Sequence, residues 1–162
     1  MTELLMKALG RVLEDNTKGL LAAKGGHDSL QPLKVYENYI PSDDSDEEAY
    51  PCLVIRWIES EDSEEFGVDV MDILVCTYSE PGREISESWG SVIAGRVRSI
   101  LRENKFIGKN ENTGSFKFKR TGSVRAINPK LNPDAKHFKY HSLTIRSQWQ
   151  YMLPDTTVST EA

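Results

Sequence analysis

Three kinds of residue in this chain have types that do chemistry in other proteins: an aspartate in an apolar run, a pair of close histidines, and two cysteines. Asp72 sits in the middle of VDVMDILVCTY. A catalytic carboxylate works with a second carboxylate or a histidine beside it, and no such partnership is read here, so Asp72 is taken as an edge charge or half of a salt bridge. His137 and His141 are four apart, and His27 is remote from both. The close pair flanks a loop-to-strand junction rather than riding one helix face, so a shared metal is not expected. Cys52 and Cys76 fall on two apolar runs. Such isolated cysteines are ordinarily buried thiols, here potential cross-strand neighbours and not a disulfide. The sequence contains no glycine-rich phosphate loop, nucleophile elbow or paired-cysteine metal signature. The expectation is a protein without a catalytic set, metal or cofactor.

The elements that carry these residues are legible from periodicity. The runs CLVIRWI and VDVMDILVCTY, split by the charged ESEDSEEFG, read as a hairpin with an acidic turn. Trp89, Ile93, Val97, Ile100 and Leu101 then recur at steps of three and four, giving a helix that ends near Asn104. Its polar side carries Arg96, Arg98 and Arg102. An earlier helix, capped by Thr2, lines up Leu4, Leu5, Ala8, Leu9, Val12 and Leu13, with Leu20 and Leu21 as a continuation until Gly25 and Gly26 break it. Leu33 to Tyr36 is a short strand candidate. The last strand alternates strictly: His141, Leu143, Ile145, Ser147, Trp149 and Tyr151 point one way, and Ser142, Thr144, Arg146, Gln148 and Gln150 the other. Pro154 ends it. The fold class expected is α/β in the α+β sense: a single mixed or antiparallel sheet, two main helices packed on one face, and long loops. Residues 1–154 form one domain, and residues 155–162 a polar tail.

In VDVMDILVCTY both alternating faces are apolar, so that strand is expected to be covered on both sides, by the helices and by either a neighbouring subunit or the chain's own loops. Residues 43–48 hold five carboxylates in six positions and read as a solvated loop; they lack the central glycine and ligand spacing of a calcium-binding hand. The segment 108–132 reads as a long polar loop. Within it Phe116 and Phe118 alternate with Lys117 and Lys119, followed by Arg120 and Arg125. Basic residues interleaved with aromatics suit a nucleic-acid surface, but in a chain of net charge -5 a strand with its phenylalanines toward the core is preferred.

That net charge conceals a division. Residues 1–81 carry 18 acidic and 6 basic side chains, residues 82–162 carry 7 acidic and 14 basic. If folding preserves the division, the acidic side of one copy suits the basic side of the next. No apolar run approaches the roughly 20 residues of a membrane span, and the charged start MTELLMKALGRV does not read as a secretion signal, so a cytoplasmic protein is expected.

The order of helix, strand, hairpin with VDVMDILVCTYSEPGRE, helix SWGSVIAGRVRSILREN, long segment and final strand HSLTIRSQWQYMLP resembles the tail terminator, or tail completion, proteins of long-tailed bacteriophages and phage-like particles. The resemblance spans about residues 51–154. It implies a virion protein, assembled in the host cytoplasm, that forms a hexameric ring. Such a ring caps the tail tube, ends its polymerisation and faces the neck or head connector. The implied partners are further copies of the chain, the tube protein, a sheath where the tail is contractile, and the connector. DNA passes the bore without specific binding. The ring contacts are expected at Glu61, Asp62, Glu64 and Glu65 on the hairpin tip and at Lys117, Lys119, Arg120 and Arg125 in the late basic segment. The rival readings are a nucleic-acid-binding module using residues 117–130, and a head-closure or other neck protein.

Overall fold

A computed structural model describes residues 1–17, 21–24, 27–45, 49–78, 86–128 and 140–153. In chain order the elements are α1 (Thr2–Thr17), β1 (Leu21–Lys24), β2 (His27–Pro32), β3 (Lys34–Glu37), β4 (Cys52–Asp62), β5 (Phe66–Tyr78), α2 (Ser86–Glu103), β6 (Phe106–Lys109), β7 (Phe116–Ile127) and β8 (Tyr140–Met152). Strands β1 and β2 form a separate antiparallel pair. The other six form one sheet in the order β3-β4-β5-β8-β7-β6. Only β3 and β4 run parallel, so the sheet is mixed, and the α+β class with one main sheet and two helices holds. Expectations resting on Leu20, Gly25, Gly26, residues 129–132, His137, Pro154, residues 46–48, residues 155–162 and the side chains of His27 and Trp89 lie outside the described residues.

The two helices cover the same face. On α2, Ile93, Val97, Ile100 and Leu101 are buried as their spacing predicts, over β8 and β5. Helix α1 meets β4 and also both edge strands, β3 and β6, so the sheet is curled around it and its helix-bearing face is concave. Leu53, Ile55, Met71, Ile73, Val75, Ile145, Trp149 and Phe118 fill the space between.

Several expectations are corrected. The buried stripe of α1 is Leu5, Met6, Leu9, Gly10, Leu13 and Thr17, while Leu4 is exposed; the arc is centred on the 5-9-13 line with Met6 and Gly10 on its flank, which turns Leu4 toward water. Thr2 is not the cap. The first helical hydrogen bond runs from the Leu5 amide to the Met1 carbonyl, and the Thr2 hydroxyl is spent elsewhere. Leu21 belongs to β1, not to a prolonged helix. The acidic turn is only three residues long: Glu59, Ser60, Glu61 and Asp62 continue β4 and pair with Val70, Asp69, Val68 and Gly67. Finally, the segment read as a long loop is mostly the β6–β7 hairpin, with β7 twelve residues long. Its glycines mark backbone geometry instead of looseness. Gly108 has φ +74°, and a Cβ there would stand 2.8 Å from the Phe118 ring; Gly122 has φ +65° at the bulge where β7 slips against β8. Phe118 is buried as expected, but Phe116 is exposed against Phe106, at a ring separation of 6.2 Å.

Candidate assembly interface

Side chains that are directly paired across a sheet share a face, so strand register turns the sequence into rows. On the convex face, away from the helices, the rows across β4, β5 and β8 begin with Cys52, Cys76 and Ser142. Next come Val54, Leu74, Thr144 and, on β7, Ile127. The third row is Arg56, Asp72, Arg146 and Arg125. The fourth is Glu59, Val70, Gln148 and Thr121, and the fifth Glu61, Val68, Gln150 and Lys119.

The β4–β5 end of the first two rows is dry, while Ser142 at the β8 end is exposed. Cys52, Val54 and Cys76 are buried under Tyr36, Ile40 and Tyr50, so the chain's own segment between β3 and β4 covers this end. The Tyr36 hydroxyl, donating to Asp44 at 2.7 Å, holds that segment down. Cys52 and Cys76 are cross-strand partners, as their positions suggest, and both are free thiols. The hydrogen bond with Cys76, and after it burial, pushes the Cys52 thiol well above its ordinary value, so at neutral pH it is a protonated, unreactive group.

The third row is the electrostatic centre. Arg146 donates from Nε and Nη2 to the two oxygens of Asp72 at 2.8 and 3.0 Å, a bidentate pair that settles Asp72 as a salt-bridge partner. The hydrogen bond to Asp72 raises the pKa of Arg146 further, against a smaller opposing effect of burial. Arg56 and Arg125 stand exposed on either side of this pair. Beside it a cleft of about 380 Å³ is bounded by Ile58, Glu59, Arg125, Arg146 and Gln148, with the Gly122 bulge as its rim.

The expected interface residues divide. Glu61, Asp62, Glu64 and Glu65 are exposed on the hairpin arm, and Lys117 and Lys119 are exposed on β7. Glu61 and Lys119 share the fifth row but are separated by β5 and β8, roughly 14 Å at ordinary strand spacing. Acid therefore lines one side of the convex face and base the other. Arg120 is different. It points to the concave side, where its Nε caps the end of α2 through the Leu101 carbonyl at 3.1 Å and its Nη1 reaches the Gly122 carbonyl at 2.9 Å. An arginine so engaged braces the fold on the concave side, apart from Lys117 and Lys119 on the convex one.

Sequence reasoning passed over Asp69. It is fully buried and accepts hydrogen bonds from Thr2 Oγ1 (2.8 Å), Ser60 Oγ (2.6 Å) and the Tyr151 hydroxyl (2.8 Å). These three hydroxyls come from α1, β4 and β8, so one carboxylate ties three elements together at the start of α1, where the helix dipole favours negative charge. Burial, and then the bond to Asp69, pushes the Tyr151 phenol up to about 12. A carboxylate closed off from solvent in this way has no access for a substrate. It is a latch. Gly67 permits it, because a Cβ there would stand 2.5 Å from the Tyr151 ring. Alternation carried the signal: Asp69 has the parity of Met71, Ile73 and Val75, the side that faces the helices.

Among the described residues no group of three or more His, Cys, Asp or Glu side chains is placed to hold a metal, and no helix is long and apolar enough to cross a membrane. No protein-family model matches the chain, and no curated protein matches it. Solved structures do match in fold. One, whose own name states no activity, superposes with a TM-score of 0.57 at 12% identity, over 95% of this chain and 97% of that one. At that identity the likeness concerns the fold alone, across nearly the full length of both chains.

Proposed function

We propose that this chain is a structural subunit of the tail-terminator kind, which closes into a hexameric ring on the end of a phage-type tail tube and stops its growth. The other side of the ring would meet the neck or head connector. The observation that carries the reading is the convex sheet face, open beyond its Cys52 end, with acid along the β4–β5 arm and base along β7. Such a split face complements a second copy either across a two-fold axis or head to tail, and head-to-tail contacts that close make rings. The resemblance in element order to tail terminators selects this ring among others. Its partners on this reading are its own copies, the tube protein, a sheath if the tail contracts, and the connector, with DNA passing the bore unbound.

Light scattering at two protein concentrations, with and without a short DNA duplex, tests the proposal, followed by electron microscopy of the heavier species. The expected result is a concentration-dependent hexamer, indifferent to DNA and ring-shaped. A stable monomer that binds duplex with a steep salt dependence would overturn it in favour of a nucleic-acid module built on Lys117 and Lys119.

A further inference from the structure

The arginine row of the convex face has more positive charge than its own strand neighbours neutralise. Asp72 is occupied by Arg146, and Glu59 lies close enough to raise the pKa of Arg146, but Arg56 and Arg125 add two further guanidinium groups at the same level. Arginine suits this position because its planar fork takes carboxylates two bonds at a time. Bidentate anchoring fixes Arg146 in place, and the adjoining cleft gives an incoming group room beside Arg125 and Arg146.

The matching charge is in the same chain but out of reach. Glu61, Glu64 and Glu65 are exposed at the far end of the β4–β5 arm, and among the described residues none of them forms an ion pair. Arg56 and Glu61 pair with Asp72 and Val68, four residues apart on β5 and so roughly 13 Å at strand rise, and a paired strand does not fold back on itself. At that separation, in water and physiological salt, the attraction within one molecule is largely screened. A second copy has no such restriction.

We infer that the Arg56, Arg146 and Arg125 row is the docking site for the acidic hairpin tip of a second copy of this chain. The inference rests on the assembly reading above and names its two surfaces: the acceptor is the middle of the sheet, found through strand register, instead of the basic segment 117–130 alone. The donor and acceptor patches differ, so each copy gives one tip and receives another. Phe66, next to the tip, and its cross-strand partner Met152 on β8 are both exposed and add apolar contact beside the charged tip.

The test uses the full chain and two charge reversals, Arg125→Glu in the acceptor and Glu61→Lys with Glu64→Lys in the donor. All three positions are exposed, and circular dichroism with thermal melting checks that each variant folds. Sedimentation equilibrium at low and high salt is expected to show wild-type self-association that weakens with salt. Each reversal should weaken it by roughly tenfold or more, and an equimolar mixture of the two variants should regain it in part. A multimer indifferent to salt and to both reversals would overturn the docking site while leaving the ring reading standing. A wild type that stays monomeric at every concentration overturns both. Duplex DNA binding abolished by Arg125→Glu in a monomeric chain would also overturn it, because the row would then serve phosphates.

Discussion

Asp69 and Asp72 lie three positions apart on β5 and are neutralised by opposite strategies. Asp69 faces the helices and is surrounded by hydroxyl donors from three elements, with no cation among them. Asp72 faces outward and is held by a guanidinium at the edge of solvent, the Arg146 side chain being 36% exposed. Strand parity alone puts them on different faces. Inside, a cation would have to be desolvated along with the carboxylate, whereas small hydroxyls supply the bonds at much lower cost. Outside, an arginine can keep part of its hydration and remain available to another partner. The concave face is thus built to hold the fold and the convex face to offer charge.

The contrast is broken most directly by removing the inner carboxylate. Asp69→Ala leaves three hydroxyls without their acceptor and detaches α1 from β8, and should cost at least about 3 kcal/mol of unfolding free energy, read from urea denaturation. The loss should come with the same denaturant slope if the chain still folds as one unit.

Tyr151→Phe removes one of the three donors while keeping the ring against Phe118, which it meets edge-on at 5.8 Å. A loss of about 1.5–3 kcal/mol is expected, the range for a hydrogen bond to a charged group. The variant also has a pH signature. Tyr151 titrates near 12 when folded against an ordinary 10.0. A raised folded-state pKa means the protonated form is favoured by folding, so its contribution is fully present below pH 10 and is lost as pH rises toward 12. Wild-type stability should therefore fall across that window by more than that of Tyr151→Phe, measured by denaturation at pH 9, 10, 11 and 12.

On the outer face the same kind of deletion should matter less. Asp72→Ala frees Arg146 to turn toward water, and the expected loss is about 1 kcal/mol or less, shrinking as salt is added. A loss equal to that of Asp69→Ala would mean that the two faces are not different in kind, and that the convex face is as enclosed as the concave one.

The elements were largely legible from periodicity, and the site was not. Helix α2 and strand β8 follow their alternation closely because long, regular elements average out local exceptions. Strand β7 is legible only at its start, in the alternation of Phe116 to Lys119; its length is hidden, since Gly122 and the bulge there break the alternation midway, and a glycine in a polar stretch reads as a turn. Asp69 is within reach of parity, but the hydroxyls of Thr2, Ser60 and Tyr151 that hold it come together only in the folded chain. The arginine row could not have been read. Arg146 meets Asp72 across 74 positions, and Arg125 joins them only through a register slipped by the bulge. Register between distant strands is set by the packed core, and local sequence carries little of it.

The smallest effect is expected where the concave and convex patterns meet on one strand. Phe116 and Phe118 are alternate residues of β7 with the same parity, yet Phe118 is enclosed and Phe116 is 53% exposed, because the strand runs past the edge of the helical cover before it reaches the turn. Its contact with Phe106 is tilted and open to water, and pairs of this kind contribute about 0.5–1.5 kcal/mol at most. With the ring half in water the low end of that range applies, and Phe116→Ser should change stability by about 0.5 kcal/mol in a dilute monomeric sample. Measured in the associated state, the same substitution should cost more if this edge is covered by a neighbour, since the ring then loses contacts that the isolated chain never made. Equal effects in both states would place Phe116 outside any contact and confine association to the charged rows.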